Sequence, residues 1–444
     1  MSRKIIGAID LGTTKVRAVI AEIYDNGEQN ILGYGIVKSQ GMHKGMVTNI
    51  TKTSESIRQA VQIASENASI PVELKSFYVG IAGEHIKSII HRNHVFIQNL
   101  NKEVEPGDVA RLEAEVRAIK IAADQEILHV IQEEFIIDDE ITVEDPIGVS
   151  AYKLGAVNHV VLASINPVNN IRKAVERAGY KVKSLILQPL ASAQAVLDDD
   201  ERDIGVLLLD IGGGTTDVAL FHRKSIRYSR VFGIAGNMVT NDIRETLGVV
   251  TENAEKLKME YGCAHEKAII KQDEMIMIEG IGAYGNSQIP ISLLTQIIGA
   301  RMRELFTMID NDLKATKMKK KIKAGIIITG GGAMLRGVAD LAEEVFGMSA
   351  QLGLPSDKLT VGKDELQKPE FSTVLGLLKG DPSSGSTLSG TLIIEEPEVK
   401  KAEHAEAKPK KEKKIKERSG NKELAGNWFK GRWNDLKEFI NNLK

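Results

Sequence analysis

The stretch that decides the fold is Asp210-Ile211-Gly212-Gly213-Gly214-Thr215-Thr216-Asp217. The apolar runs at 206–209 and 218–221 on either side are each short enough for a buried strand. Glycines between two strands predict a tight hairpin turn, whose N–H groups can approach an anion because no Cβ intervenes. The threonines add hydroxyl donors, and Asp210 could hold a metal that neutralises phosphate. The stretch predicts a phosphate-binding turn, with an ordinary glycine-rich hairpin as the alternative.

The same pattern occurs near the start of the chain. A strand-like run at 5–9 ends in Asp10-Leu11-Gly12-Thr13-Thr14-Lys15, and apolar residues alternate over 16–20. A strand, an aspartate, a glycine, two threonines and a second strand thus appear twice, which indicates an internal duplication. Two similar domains facing one nucleotide would each grip its phosphates with one hairpin, and Asp10 and Asp210 would flank the metal.

A third glycine-rich element follows the short apolar run at 325–328. The sequence Thr329-Gly330-Gly331-Gly332-Ala333 permits close backbone approach to a ligand, here an adenosine. The chain contains no G-x-x-x-x-G-K-[ST] motif, which argues against a P-loop fold. The three elements in this order predict binding of a nucleotide.

In these three motifs the chain resembles the actin/DnaK/sugar-kinase superfamily of ATP-binding proteins. The resemblance implies an α/β, actin-like ATPase fold, in which two duplicated ribonuclease-H-like domains surround a nucleotide cleft. Asp10 and Asp210 would hold Mg²⁺ through water. The residues implied to bind the nucleotide are Asp10, Gly12, Thr13, Thr14, Lys15, Asp210, Gly212, Gly213, Gly214, Thr215, Thr216, Gly330, Gly331 and Gly332.

Composition narrows the class of protein. The 444 residues are 42% hydrophobic and 27% charged, which is ordinary for soluble globular chains of several domains. A formal net charge of −2 gives no indication of nucleic-acid binding. The single cysteine, Cys263, excludes an internal disulfide and fits a reducing cytoplasm. The first apolar run is too short for a signal peptide, and no segment has the length of a membrane-spanning helix.

The predicted domain boundaries follow from the motifs. The first ATPase domain takes residues 1–83 and 165–200, and an inserted subdomain takes 84–164. The second takes 201–379, with an elaboration at about 230–322.

Inside the insertion, the sequence predicts a helix at about 109–122 with Asp108 as N-cap, and separate strands at 127–131 and 135–137. Its histidines match no common metal-ligand spacing, which favours surface or packing roles. They are His85, His91, His94 and His129.

The insertion also distinguishes between relatives. The runs QEEFIID at 132–138 and DPIG at 145–148 resemble the FtsA family of bacterial division proteins. In that family a small subdomain replaces one found in actin and takes part in self-association. The resemblance therefore implies self-association for this chain.

Hydrolysis of ATP is expected to be slow or absent. Hydrolysing relatives in the superfamily often carry Glu immediately before a proline, where this chain has Gln188, and an amide is a poor general base. Gln188 has either a catalytic or a structural role. Glu255 and Lys258 share one face of a predicted helix. The superfamily uses such a pair against ribose and base, and a solvent-exposed ion pair is the alternative.

A long helix predicted at 293–314 carries Arg301. FtsA proteins bind the acidic, partly apolar C-terminal tail of FtsZ in this region, and the resemblance implies that contact for Arg301. A solvated arginine is the alternative.

The tail has two predicted parts. Residues 380–423 have few apolar side chains, which favours a flexible, disordered charged linker. Residues 424–444 form a predicted amphipathic helix, whose aromatic rings and lysine stems suit the headgroup boundary of a bilayer. Docking onto this protein or a partner is the alternative. The residues predicted to contact membrane are Trp428, Phe429, Trp433, Leu436, Phe439, Ile440 and Leu443.

Together with these features, the resemblance to the FtsA family implies a cell-division adaptor. It would bind ATP and Mg²⁺, polymerise, and sit peripherally on the cytoplasmic face of the cell membrane at the division site. It would tether the FtsZ ring there and meet other division proteins. A pilus-assembly actin-like protein is an alternative. A small-molecule kinase would need a catalytic aspartate in a substrate cleft, and a DnaK-type chaperone a β-rich domain after the core, where this chain has a charged linker.

Overall fold

The computed structural model describes residues 4–24, 28–70, 72–270, 275–278 and 287–381. The chain divides into two units, Met1–Thr387 and Leu388–Lys444, and every described residue belongs to the first. The predicted linker beyond Asp381 and the predicted membrane helix therefore lie outside the described residues. Within the described ranges, no helix is both long and apolar enough to cross a membrane.

The elements are numbered in chain order. The strands are β1 (Lys4–Leu11), β2 (Lys15–Ile23), β3 (Gln29–Lys38), β4 (Met42–His43), β5 (Met46–Val47), β6 (Ser76–Ile81), β7 (Ile86–Phe96), β8 (Gln125–Ile137), β9 (Ile141–Val143), β10 (Lys153–Ser164), β11 (Lys181–Leu187), β12 (Val206–Ile211), β13 (Thr216–His222), β14 (Ser225–Phe232), β15 (Met275–Ile278), β16 (Ser287–Pro290), β17 (Gly325–Thr329) and β18 (Ala350–Leu352). The helices are α1 (Ile50–Glu66), α2 (Pro106–Arg117), α3 (Ile165–Arg177), α4 (Gln188–Val196), α5 (Asp199–Ile204), α6 (Gly236–Leu247), α7 (Thr251–Tyr261), α8 (Ile291–Ala315), α9 (Val338–Phe346) and α10 (Ser372–Leu377).

Two sheets repeat one topology. Their strand orders are β3-β2-β1-β6-β11 and β14-β13-β12-β17-β18. In each sheet three consecutive strands pair antiparallel, and two later strands join parallel on the other side of the first. Strands β1 and β12 thus hold the same central position, and their apolar residues are buried as the continuous hydrophobic runs require. The predicted α/β fold with two duplicated domains is confirmed.

The inserted subdomain has its own sheet, in the order β7-β10-β8-β9, with α2 packed against it. Helix α2 begins at Pro106, three residues before the predicted start, because Glu105 is the N-cap and Asp108 completes a capping box. The prediction of Asp108 as N-cap is therefore wrong. The two strands predicted at 127–131 and 135–137 are one continuous strand, β8.

A buried ion pair joins this subdomain to the second ATPase domain. Arg227 of β14 donates to Glu133 of β8 at 2.7 Å, and their side chains are only 4% and 7% exposed. Burial alone would raise the pKa of Glu133, but hydrogen bonds and charge from His159 and Arg227 hold it below its usual value. The charges of residues far apart in sequence therefore fix this contact.

Helices α4 and α10 meet between the two domains. A Cβ on Gly376 would lie 1.8 Å from the carbonyl oxygen of Ala191, so only glycine fits at this crossing. The small residues at this crossing allow the two helix backbones to pack closely.

Candidate nucleotide site

A cavity of about 570 Å³ lies between the two hairpin turns. This volume includes open solvent, so the cavity is accessible from outside the protein. The predicted site residues that line it are Asp10, Gly12, Thr13, Thr14, Gln188, Asp210, Gly212, Gly213, Gly214, Thr215, Gly330 and Gly331. The fold thus brings all three motifs, from both domains, to one cavity.

The two turns approach each other so closely that side chains on the second are excluded. A Cβ on Gly213 would lie 2.3 Å from Cγ2 of Thr14, and one on Gly214 would lie 2.4 Å from Oγ1 of Thr13. The glycines of one hairpin therefore face the threonines of the other. This arrangement leaves backbone N–H groups and hydroxyls at the cavity wall, which is the donor set that phosphate oxygens require.

The third glycine-rich element packs against the second hairpin. Gly330 has a φ of +83°, and a Cβ there would lie 2.3 Å from Oδ1 of Asp210. Gly331 has open space where a Cβ would be, whereas one on Gly332 would lie 2.4 Å from Cγ2 of Ile211. Gly331 faces the cavity and Gly332 packs against strand β12.

Asp10 is 5% exposed and has donors on both carboxylate oxygens. The Gln188 amide donates to Oδ1 at 3.0 Å, and the Arg17 guanidinium donates to Oδ2 at 3.3 Å. Burial raises the pKa of Asp10 to about 6; Arg17 opposes this rise, and the charge of Asp210 adds to it. Gln188 lies where it orients this carboxylate, and its predicted catalytic role stays a prediction.

Asp210 accepts hydrogen bonds from two hydroxyls on the inter-domain helices. Ser192 of α4 donates to Oδ2, and Thr373 of α10 donates to the same oxygen at 3.0 Å. Burial raises the pKa of Asp210, and the two hydrogen bonds and Arg17 act in the opposite direction.

Asp217 is the third buried carboxylate at the cavity. Its Oδ2 accepts from Thr215 at 3.3 Å, and its Oδ1 has no hydrogen-bond partner among the described residues. Burial raises the pKa of Asp217 well above its ordinary value, and the charges of Asp210 and Asp10 raise it further. Three carboxylates that repel one another when ionised favour a cation in the space between them.

The residues present fit a hydrated Mg²⁺ ion. No group of three or more His, Cys, Asp or Glu side chains in the described ranges is spaced to ligate a metal directly. Mg²⁺ commonly keeps several of its waters, so carboxylates can hold it through water. This donor set agrees with the predicted water-mediated role of Asp10 and Asp210, which stays a prediction.

Lys15 lies beside the cavity without lining it. Its ammonium and the guanidinium of Arg17 both donate to Oε2 of Glu370, at 2.9 and 2.7 Å. Burial alone would raise the pKa of Glu370, but these two cations lower it below its usual value. Lys15 therefore neutralises a residue of the cavity wall, and its predicted contact with nucleotide stays a prediction.

Thr216, Glu255 and Lys258 also lie outside the cavity lining. The Thr216 hydroxyl donates to the carbonyl of Ile234 at 2.7 Å and is fully buried. Lys258 donates to Glu255 at 2.7 Å and to the carbonyl of Gly236 at 3.2 Å. The predicted pair is thus formed.

Helix α6 connects the pair of Glu255 and Lys258 to the turn of the second hairpin. The amides of Gly236 and Asn237, in its first turn, donate to the carbonyls of Gly212 and Gly213 at 3.1 and 2.8 Å. Lys258, which binds the Gly236 carbonyl, therefore supports the turn from behind, and its contact with ribose or base stays a prediction.

Arg301 is 9% exposed and links two helices of the elaboration. From α8 it donates to both carboxylate oxygens of Asp242 on α6, at 2.6 and 2.8 Å, and it also pairs with Glu304. The solvated alternative is therefore wrong. The predicted contact of Arg301 with FtsZ stays a prediction.

Sequence reasoning missed several residues of the cavity wall. Arg17 and Asp217 could have been found, because each lies directly opposite an aspartate across a hairpin, Asp10 and Asp210 respectively. Glu370 and Thr373 come from a distant part of the chain, and no local pattern marks them. The missed residues that line the cavity are Leu11, Arg17, Gly45, Asp217, Glu370 and Thr373.

Comparison with known proteins shows which family the sequence matches. The family model described as "Cell division protein FtsA" matches residues 207–376, and the one described as "SHS2 domain inserted in FTSA" matches residues 83–162. The cell division protein FtsA of Pseudomonas aeruginosa is 38% identical over 377 residues, which cover 85% of this chain and 89% of that protein.

Solved structures share the fold at much lower identity. The PilM-PilN type IV pilus biogenesis complex has a TM-score of 0.59 at 18% identity, covering 84% of this chain and 98% of that chain. MreB5 of Spiroplasma citri bound to ADP has a TM-score of 0.50 at 14% identity, covering 85% and 95%. These likenesses support an actin-like fold for the described domains. The family models and the relative at 38% identity establish that the chain belongs to the FtsA family of cell division proteins.

Proposed function

We propose that this actin-like cell-division protein binds ATP with Mg²⁺ in the cavity between the two hairpins. The observation that carries the proposal is the meeting of three buried carboxylates and two glycine-threonine turns, one turn from each duplicated domain, at a single cavity. A bound Mg²⁺ ion would neutralise both carboxylates and phosphate oxygens. MreB5, which shares the fold, is described as bound to ADP.

Different residues of the chain would bind different parts of the ligand. Thr13, Thr14 and Thr215 offer hydroxyls at the cavity wall, and the turn glycines leave backbone N–H groups accessible there. The open space at Gly331 suits the adenosine end of the ligand. Gln188 donates a hydrogen bond to Asp10 and would hold that carboxylate in place. Because an amide is a poor general base, we expect hydrolysis to be slow.

Nucleotide binding at this site would then control whether the protein assembles into a polymer. We propose that ATP binding favours polymerisation of the protein, since the ligand would bridge the two domains and fix their relative orientation. The polymer would lie on the cytoplasmic face of the cell membrane at the division site. Attachment would use the C-terminal helix with Trp428, Phe429, Trp433, Leu436, Phe439, Ile440 and Leu443.

The second domain would capture the C-terminal tail of FtsZ. The family resemblance implied that contact for Arg301, which is paired with Asp242 in the fold. By holding α8 against α6, Arg301 would shape the surface that receives the tail. The polymer would thereby tether the FtsZ ring to the membrane, where other division proteins would join it.

Co-sedimentation with liposomes and purified FtsZ, with and without Mg-ATP, tests this proposal. We expect the full chain to carry FtsZ into the liposome pellet, more strongly with Mg-ATP. A matched Trp433→Glu variant should leave both proteins in the supernatant, because it places a charge on the apolar face. Liposome binding unchanged by Trp433→Glu would contradict the tail assignment. Binding of the full chain without any effect of Mg-ATP would contradict nucleotide control.

A further inference from the structure

His129 occupies an unusual position in the inserted subdomain. It lies in the middle of β8, with its side chain fully buried. Its Nε2 accepts a hydrogen bond from the backbone amide of Leu187 at 3.0 Å, and its Nδ1 lies 3.4 Å from Oδ1 of Asp381. Because a backbone N–H can only donate, Nε2 is the acceptor, and the ring proton lies on Nδ1, which faces Asp381.

Leu187 leads directly into the nucleotide site. It is the N-cap residue of α4, and the next residue, Gln188, donates to Asp10. Ser192, four residues further along the same face of the helix, donates to Asp210. Helix α4 thus holds one aspartate from each hairpin, and His129 accepts a hydrogen bond from the residue that begins the helix.

Asp381 is the last described residue, at the point where the chain continues towards Lys444. Ser184 of β11 donates to its Oδ2 at 3.4 Å. Just before it, Lys379 donates to the carbonyl of Gln194 on α4 at 2.7 Å. The stretch from Lys379 to Asp381 therefore contacts α4 itself and the strand that leads into it.

We propose that His129 is a positioning residue. It couples the stretch from Lys379 to Asp381 to the nucleotide site through α4. Asp381 fixes the orientation of the imidazole, and the oriented Nε2 in turn fixes the amide of Leu187 and the start of α4. When Asp381 moves away, the ring loses its partner at Nδ1 and the Leu187 amide its fixed acceptor. The contact between Gln188 and Asp10 then loosens. The inference rests on the proposed binding of ATP only for its effect on affinity.

Amide hydrogen exchange tests the coupling without nucleotide. In the full chain, Asp381→Ala should speed exchange in a peptide spanning residues 184–190 by roughly three- to tenfold, the effect of weakening about one hydrogen bond. The matched control is Asp139→Ala. This variant removes an exposed aspartate that pairs with Lys153 within the inserted subdomain. It should leave that peptide unchanged. Equal exchange in the wild type and Asp381→Ala would overturn the proposal.

A double-mutant cycle tests the role of His129 itself. Glutamine can still accept from the Leu187 amide but has no rigid ring for Asp381 to orient, so His129→Gln should itself weaken Mg-ATP binding about as much as Asp381→Ala does. Asp381→Ala should weaken Mg-ATP binding roughly three- to tenfold in the wild type and have no effect in His129→Gln. Equal weakening in both backgrounds would overturn the proposal. If the wild type bound no ATP, the proposed function would fail, while the exchange experiment would still decide the coupling.

Discussion

The two hairpins share a backbone and differ in charge. In the first, Asp10 on β1 lies directly opposite Arg17 on β2. In the second, Asp210 on β12 lies directly opposite Asp217 on β13. The first hairpin therefore carries its own cation, whereas the second faces one buried carboxylate with another. The turn and the register are the same in the two hairpins, so the difference between them lies in their buried charges.

Removing the internal cation should have the largest effect. Arg17→Met would leave Asp10 buried without its charge partner, because the Arg17 side chain is only 10% exposed. We expect the free energy of unfolding to fall by about 3–5 kcal/mol, measured by chemical denaturation. Arg244→Met, at an exposed pair with Glu245, is the matched control and should cost less than about 1 kcal/mol. A similar small loss for both variants would remove the contrast between the hairpins.

The second-largest effect should be a dependence of the free energy of unfolding on pH, caused by Asp10 in the first hairpin. The pKa of Asp10 is raised from 3.8 to about 6, so between these values the folded chain holds a proton that the unfolded chain has lost. This stabilisation is present below the unfolded pKa and is lost as pH rises through the folded one. The difference in unfolding free energy between the wild type and Asp10→Asn should therefore fall by roughly 2 kcal/mol across that window.

Chemical denaturation at several pH values without Mg²⁺ measures this difference. The Asp10→Asn variant is its own control, because an amide does not titrate in that range. A difference that rises with pH would mean that the ion pair with Arg17 outweighs burial.

The smallest change concerns the second hairpin. Asp217→Asn removes a buried charge that repels Asp210, and we expect the protein without ligand to gain about 1 kcal/mol of stability. The same variant should bind Mg-ATP roughly tenfold more weakly, since the cation loses one of its counter-charges. Thermal denaturation in EDTA and calorimetric titration measure the two effects, with the exposed Asp139→Asn as control. Lower stability together with unchanged affinity would contradict a cation site at Asp217.

The hairpins were predictable because their signal is local. A buried strand, an aspartate and a glycine-threonine turn lie within a dozen residues, and the repeat of that pattern implied the duplicated sheets. The cavity wall was less predictable because it combines distant segments. Arg17 and Glu370 are 353 positions apart in the chain, and the hydrogen bond between them depends on the whole fold.

Strand β8 shows how polar residues can mislead. The polar run at 132–134 suggested a break between two strands, since alternating apolar residues are the usual strand signal. In the fold, Glu133 points into a buried interface, where Arg227 satisfies its carboxylate. The strand therefore continues through residues that look like a loop. The start of helix α2 was predicted three residues too late for a local reason. Asp108 was predicted to be the N-cap, whereas it is the third residue of the helix and completes a capping box with the N-cap Glu105.

The inserted subdomain is connected to one domain and bonded to the other. Its strands leave and rejoin the chain in the first domain, at β6 and α3, while Glu133 is paired with Arg227 in the second. If the two domains rotate about the cavity, the subdomain must either turn with the second domain or break a buried charge pair. A rotation of either domain would therefore reach the inserted subdomain through both its chain connections and the Glu133–Arg227 pair.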